Sequence, residues 1–360
     1  MTQVHHLINE LGADHNGAEV VATSLDAGLK DLGWSSRLVA LRSSGTRFEG
    51  FHALPHRSPY DPRAIRSIQR YLSAHARDGD ILHVHLFPSN LLAAAAASLS
   101  RWRGYLVTTE HSTSNRRRGS ALGRLVDRYT YQRYQRIFCI SEATKHSLDR
   151  WNPGTADRTR VIENGVAITG DAPIRRATRD GPCVIVSMGR LHPVKNHEAA
   201  LQALALLGDR DFEYRILGAG SLRGSLEARA AELGLGPRVR FLGHVDEPRR
   251  HLEEADVFLA TSRWEGFGLA AVEAMNAGLP VVASDVPGLR SVVEGEGARL
   301  VPCEDPGAIA EALRALIDSE TLRRRMGAAA FERSLRYSAG AMVSTYVREY
   351  EELTGCHRAR

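Results

Sequence analysis

Short apolar runs alternate along this chain with stretches in which apolar residues recur at helical spacing. In the first half the runs fall at 4–9 (VHHLIN), 36–41, 81–86 (ILHVHL), 105–109, 136–140 and 160–165, with helical patterns at 18–32, 62–76 and an alanine-rich 91–97. Between 41 and 62 the periodicity lapses into a variable stretch carrying Pro55, Pro59 and Pro62. Residues 167–182 are polar, charged and broken by glycine and proline, which predicts a linker. A second series then opens, with strands predicted at 184–188, 214–217, 239–242, 257–260, 281–283 and 299–301 and helices at 197–207, 224–233, 248–255, 270–276 and 306–319. The tail from 322 to 353 is helical, with a break at Tyr337-Ser338. Alternation of this kind predicts an α/β protein built on two doubly wound parallel sheets.

Composition narrows the picture without changing it. At 360 residues the chain exceeds the usual size of one core, so two domains are expected. Residues 1–10 lack a basic region followed by an apolar core, and no run approaches the length of a membrane span, so a cytoplasmic protein is expected. Cys139, Cys183, Cys303 and Cys356 form no C-x-x-C pair, which argues against a zinc ribbon or a redox motif. Charge is uneven: residues 1–170 hold 22 Lys and Arg against 15 Asp and Glu, the remainder 25 against 27. The excess includes Arg116, Arg117, Arg118, Arg124, Arg128, Arg133 and Arg136. It reads either as a solvated helix face or as an attraction for anionic lipid at the inner membrane face, or for an acidic acceptor. No nucleic-acid module accompanies it.

The chemistry concentrates in residues 261–289, TSRWEGFGLAAVEAMNAGLPVVASDVPGL. Gly266-Phe267-Gly268 ends a strand, and helical spacing resumes at Leu269. A helix therefore opens with free N–H groups and its positive dipole end available to an anion such as a pyrophosphate. Glu265 and Glu273 stand eight positions apart; taken alone, a turn cap and a surface salt bridge would be the simpler account of them. On an earlier strand-to-helix loop, Gly189-Arg190-Leu191 is followed by Lys195, two cations able to straddle a diphosphate. His111 follows the strand at 105–109, at the end where parallel sheets bind ligands. His83 and His85 share one face of a strand, and a metal there would need a third ligand that the sequence does not identify. Asp78-Gly79-Asp80 and Asp209-Arg210-Asp211 spell D-x-D but read as solvated turns. After Gly218 and Gly220 the next glycine, Gly224, comes one place too late for G-x-G-x-x-G, which disfavours a dehydrogenase.

Glu265-Gly-Phe-Gly, Glu273 at the eighth place and the following AGLPVVAS resemble the E-x7-E signature of retaining glycosyltransferases of family 4. GRLHPVKNH resembles that family's G-R-L-x-x-x-K motif, and Asn16-Gly17-Ala18-Glu19 its Gly-Gly-Ala-Glu loop. The resemblance implies a GT-B fold, two Rossmann-like domains facing a cleft. Residues 1–170 would form the acceptor side, with a C-terminal helix at 341–357 packing back on it, and 171–340 the nucleotide-sugar side. It implies transfer from a UDP- or GDP-sugar to a hydroxyl of a glycan, lipid-linked or small-molecule acceptor, in polysaccharide or glycoconjugate biosynthesis. Arg190 and Lys195 would neutralise the leaving diphosphate, Gly268, Leu269 and Gly17 would approach it through backbone, and Glu273 would take the ribose. Glu265 and His111 would hold the donor sugar, and Gly220, His244 and Val245 would line the cleft floor and the base. No cofactor and no metal are expected. An epimerase-like enzyme acting on the nucleotide sugar alone and a non-catalytic nucleotide-binding protein are the alternatives.

Overall fold

The computed structural model describes residues 2–12, 17–44, 50–114, 117–170 and 181–355. Asn16, Arg116, Cys356 and most of the expected linker lie outside them. Two compact units are present: Met1–Gly165 with Ala339–Arg360, and Val166–Ser338. The first contains β1 (Gln3–Gly12), α1 (Gly17–Asp31), β2 (Ser35–Ser44), β3 (His52–Ala53), α2 (Ala64–His75), β4 (Ile81–His85), α3 (Ser89–Ser98), β5 (Tyr105–Glu110), α4 (Ala121–Tyr131), β6 (Arg136–Cys139), α5 (Glu142–Trp151) and β7 (Thr159–Val161). The second contains β8 (Cys183–Met188), α6 (His197–Ala205), β9 (Phe212–Leu217), α7 (Arg223–Glu232), β10 (Val239–Gly243), α8 (Pro248–Glu254), β11 (Val257–Ala260), α9 (Leu269–Asn276), β12 (Val281–Ser284), α10 (Pro287–Val293), β13 (Ala298–Val301), α11 (Pro306–Ile317) and α12 (Glu320–Ser334). A last helix, α13 (Ala339–Thr354), belongs to the first unit.

Among the described residues every pairing between named strands is parallel. The seven-stranded sheet runs β3-β2-β1-β4-β5-β6-β7 and the six-stranded sheet β10-β9-β8-β11-β12-β13. Chain order reverses between β1 and β4 in one and between β8 and β11 in the other. Such switch points open crevices at the carboxyl ends of the strands, where open α/β sheets bind ligands. In this respect the α/β, doubly wound reading of the sequence holds for both units.

Local sequence explains the layers. β4 lies inside its sheet with helices on both faces, so all five residues of ILHVH are buried, the face that carries His83 and His85 included. α2 buries Ala64, Ile68, Tyr71 and Leu72, one stripe at helical spacing, each large apolar side chain worth roughly 1.5–3 kcal/mol. Side-chain caps start several helices: Ser120 for α4, Ser141 for α5, Asp305 for α11 and Ser319 for α12. α13 packs on the first unit through Tyr346 and Tyr350. The Tyr350 hydroxyl lies 2.6 Å from His83 Nδ1, and that of Tyr346 lies 3.0 Å from Thr109 Oγ1.

The units divide at Gly165/Val166, a few residues before the end of the first domain expected from the sequence, because residues 166–169 are already tied to the second. Val166 N donates to Tyr337 O at 2.9 Å, and Thr169 N to Asn276 Oδ1 at 3.2 Å. β3, with two residues, and α10, opened by Pro287, are elements that periodicity did not predict.

Candidate active site

The switch point of the second sheet is flanked by two loops. One leaves β8 through Gly189, Arg190 and Lys195; the other leaves β11 through Thr261, Glu265 and Gly268. Hydrogen bonds stitch them together: Thr261 Oγ1 donates to the carbonyls of Lys195 and Asn196, each at 3.0 Å, and Arg263 N to that of Val194 at 2.8 Å. Asn196 sits in the left-handed region (φ 49°) and is pinned by its Nδ2 to Cys303 O at 2.9 Å. Lys195 is thereby delivered to Glu265, whose Oε1 accepts from Lys195 Nζ and, at 2.9 Å, from Ser262 Oγ. Lys195, Glu265 and Gly268 line one small pocket with His197, Ser262 and Met188.

Three strand ends are packed backbone against backbone beside this pocket. Gly189 N donates to Leu217 O at 2.8 Å and Gly218 N to Gly243 O at 2.7 Å. A Cβ on Gly218 would fall 1.9 Å from Gly189 O, and φ there is +148°, so only glycine fits. Gly220 is likewise explained by packing, since a Cβ would lie 2.3 Å from Leu191 O.

Gly268 caps α9 at φ 100°, ψ 50°, with a notional Cβ 2.7 Å from Leu289 Cδ2. Ala271 N and Val272 N donate to Gly268 O at 2.9 and 3.2 Å, which leaves the N–H groups of Leu269 and Ala270 without a carbonyl in the helix to bond. One turn on, the carboxylate of Glu273 makes no hydrogen bond or ion pair with a described residue, and burial pushes its pKa up to about 7. Arg190 is exposed. His244 is exposed, 3.6 Å from Asp246, and Val245 is half-buried. Gly17 is the first residue of α1 in the other unit.

His197, at the start of α6, was not singled out by the sequence reading. It is buried against the pocket, and its pKa falls to about 4, chiefly through burial and secondarily through the charge of Lys195. Its position two places after Lys195 was the available signal.

In the first unit the carboxyl edge is lined by histidines. His111 follows β5 and is half-buried, with its pKa lowered by burial to about 3. His83 and His85 do share a face, with ring centroids 4.2 Å apart, but are fully buried rather than open to ligand. The third histidine that the sequence left unidentified is His6, in register with His83 on the neighbouring β1. His83 is already bonded at both nitrogens, to Tyr350 Oη at 2.6 Å and Thr109 Oγ1 at 2.7 Å.

Two expectations are corrected by the geometry. Asp80 is no solvated turn residue: it is buried, accepting from Gln3 N at 2.8 Å and Arg77 N at 2.7 Å, with His5 Nε2 3.7 Å away. The arginine cluster also does not form one solvated face. Arg117 is bound to Asp127 at 2.8 Å, Arg118 to Ser147 at 2.7 Å and Arg136 to Glu352 at 2.8 Å. Arg124, Arg128 and Arg133 are exposed on and just beyond α4, beside Leu122 (72% exposed) and Leu125 (65%).

Comparison with known proteins makes this two-sheet chain a glycosyltransferase of the GT-B type. The model of Glycosyltransferase Family 4 matches residues 15–169 and that of Glycosyl transferases group 1 matches 172–333. Over 311 residues the chain is 32% identical to the phosphatidyl-myo-inositol mannosyltransferase of Mycobacterium leprae, covering 82% of this chain and 79% of that protein. The chain belongs to glycosyltransferase family 4. Among solved structures it superposes on sucrose-phosphate synthase from Thermosynechococcus elongatus with a TM-score of 0.81 at 20% identity, covering 98% and 99% of the two chains. HepE of Anabaena in complex with UDP-glucose gives 0.79 at 19%, covering 98% and 100%. Among the described residues no helix is long and apolar enough to cross a membrane.

Proposed function

We propose that this enzyme transfers a sugar from a nucleotide diphosphate sugar to an acceptor hydroxyl, with retention at the anomeric carbon. The observation that carries the reading is the meeting of Lys195 with Glu265 beside the opening turn of α9. A cation, an acid and the open N–H groups of Leu269 and Ala270 at neighbouring strand ends suit a ligand that is anionic at one end and hydroxyl-rich at the other. The UDP-glucose bound by HepE of Anabaena supports this class of donor.

In this reading Arg190 and Lys195 take up charge on the departing diphosphate, the step where preorganised electrostatics contribute most. Gly268 and Leu269 donate backbone N–H groups to it, Glu273 receives the ribose hydroxyls, and Glu265 and His111 hold the donor sugar. Gly17 approaches the phosphates, while His244 and Val245 meet the base through backbone. The leaving phosphate removes the acceptor proton on the same face. With Arg190 and Lys195 in these roles no divalent ion is required, so turnover is expected to survive chelation.

The acceptor is a glycan, a lipid-linked sugar or a small molecule; a lipid-linked one is supported by the exposed leucines and arginines of α4, a pairing suited to an anionic membrane surface. The direct test is thermal shift against UDP- and GDP-sugars, followed by release of nucleoside diphosphate with and without acceptor. Stabilisation by one donor and acceptor-dependent release are expected. Conversion of the donor alone into an isomer would instead identify an epimerase-like enzyme, and binding without turnover a non-catalytic protein.

A further inference from the structure

His6, His85 and His111 stand in a row. His6 Nδ1 lies 3.3 Å from His85 Nε2, and His85 Nδ1 lies 3.2 Å from His111 Nε2. The ring planes are tilted by only 33° and 40° at these two steps. The row starts on β1, passes the last residue of β4 and ends just beyond β5, so it runs from the dry interior to the carboxyl edge of the first sheet. His83 stands beside it without joining, both of its nitrogens being held by Tyr350 and Thr109.

Two imidazole nitrogens at such distances need one N–H facing one lone pair. A charged ring would supply extra donors, but burial holds His6 at about 4 and His111 at about 3, and His85 well below its ordinary value. All three rings are therefore neutral at physiological pH, with a single N–H each. Neutrality links their tautomers: choosing one chooses all three. Only two arrangements exist, and the far end decides between them. His6 Nε2 is buried and has no hydrogen-bond partner among the described residues. Were the bonds to point inward, that atom would carry an N–H with nothing to receive it; pointing outward, it carries a lone pair. Orphaned buried N–H groups are the rarer fault, by analogy with the backbone. The bonds therefore run His6 Nδ1–H to His85 Nε2, and His85 Nδ1–H to His111 Nε2.

We infer that His85 is a positioning residue that, backed by His6, locks His111 in the Nδ1–H tautomer, so that His111 meets its ligand as a hydrogen-bond donor and not as a base. The catalytic meaning rests on the reading of His111 as a contact of the donor sugar; the tautomer itself does not. A neutral N–H suits a sugar oxygen and leaves no lone pair for the acceptor proton, which must go to another group.

The test is nitrogen-15 spectroscopy of histidine-labelled protein at neutral pH. The wild-type protein is expected to show His111 protonated at Nδ1, with coupling through the hydrogen bond between His85 Nδ1 and His111 Nε2. His85→Phe is expected to release His111 to the Nε2–H form favoured by free imidazole, and His85→Asn, whose amide can donate from the place of Nδ1, to restore Nδ1–H. An Nε2–H His111 in the wild type, or an unchanged tautomer in His85→Phe, would overturn the inference. So would a metal ion retained in stoichiometric amount by purified protein and lost in His6→Phe. The wild-type coupling does not depend on any variant folding. Failure of the glycosyltransferase reading would appear separately, as absent donor turnover with these signals intact.

Discussion

Lys195 and Glu265, 70 positions apart, meet as an ion pair across the switch point of the second sheet, with Ser262 Oγ a further 2.9 Å donor to the same carboxylate oxygen. An ion pair in this place has two accounts, one structural and one catalytic, and a double mutant separates them. Lys195→Met alone leaves Glu265 short of its partner; Lys195→Met with Glu265→Leu removes both charges. Thermal stability is expected to recover in the double mutant. Turnover is not: loss of Lys195 is expected to cost roughly 10²–10³ in kcat in either background, the scale of one preorganised donor. Nucleoside diphosphate release measures it, and recovery of turnover would leave the pair with a structural role only.

Glu273 carries a penalty whose sign is fixed by its pKa of about 7. The folded value lies above the ordinary 4.5, so the contribution of this group is fully favourable below about 4.5 and is lost as pH rises through about 7. Glu273→Gln is thus expected to raise the melting temperature of ligand-free enzyme at pH 8 and leave it nearly unchanged at pH 4.5, while weakening donor binding. Thermal melts at the two pH values check both halves.

Five histidines of the first unit act in the opposite sense. His5, His6, His83, His85 and His111 all have folded pKa values depressed mainly by burial. Their contribution is complete above the ordinary 6.5 and is lost as pH falls towards about 4 for His6 and about 3 for His111. Each adds a slope approaching about 1.4 kcal/mol per pH unit within its window. The urea midpoint of the first unit should drop steeply between pH 6.5 and 4.5, and less steeply in His6→Gln.

At Gly218 a methyl group has nowhere to go. Gly218→Ala would place a carbon 1.9 Å from Gly189 O at a φ that L-residues rarely adopt. A cost of roughly 1–3 kcal/mol for the backbone alone is expected, with donor affinity falling because the β8 loop carrying Arg190 and Lys195 must shift. Gly224, in the first turn of α7, where an added Cβ would meet no neighbour within 4 Å outside its own helix, is the control.

On α4, Leu122→Glu with Leu125→Glu is expected to reduce co-sedimentation with anionic vesicles, and salt to reduce the part due to Arg124, Arg128 and Arg133. Equal recovery of wild type and variant would remove the membrane from the proposal.

What the sequence made legible was whatever is local. The buried run ILHVH of β4 and the Gly268–Leu269 start of α9 could be read from periodicity and turn chemistry, and their strand-end placement follows from parallel topology. What depends on register or on distant partners stayed hidden. His6 joins His83 only because β1 and β4 are neighbours, although nearly 80 residues of chain separate them. Asp80 looked solvated because its partners Gln3 and His5 come from the other end of the unit. The arginine run gave the charge but could not show which side chains Asp127, Ser147 and Glu352 would claim.

α13 has a consequence for how the chain is made. The second unit is one continuous segment, whereas the first needs the last helix to supply Tyr350 to His83 and Tyr346 to Thr109. As the polypeptide leaves the ribosome, the later-encoded unit can close on itself while the earlier one still waits for its final piece. A chain cut short after Ser338 would strand the polar atoms beneath that helix.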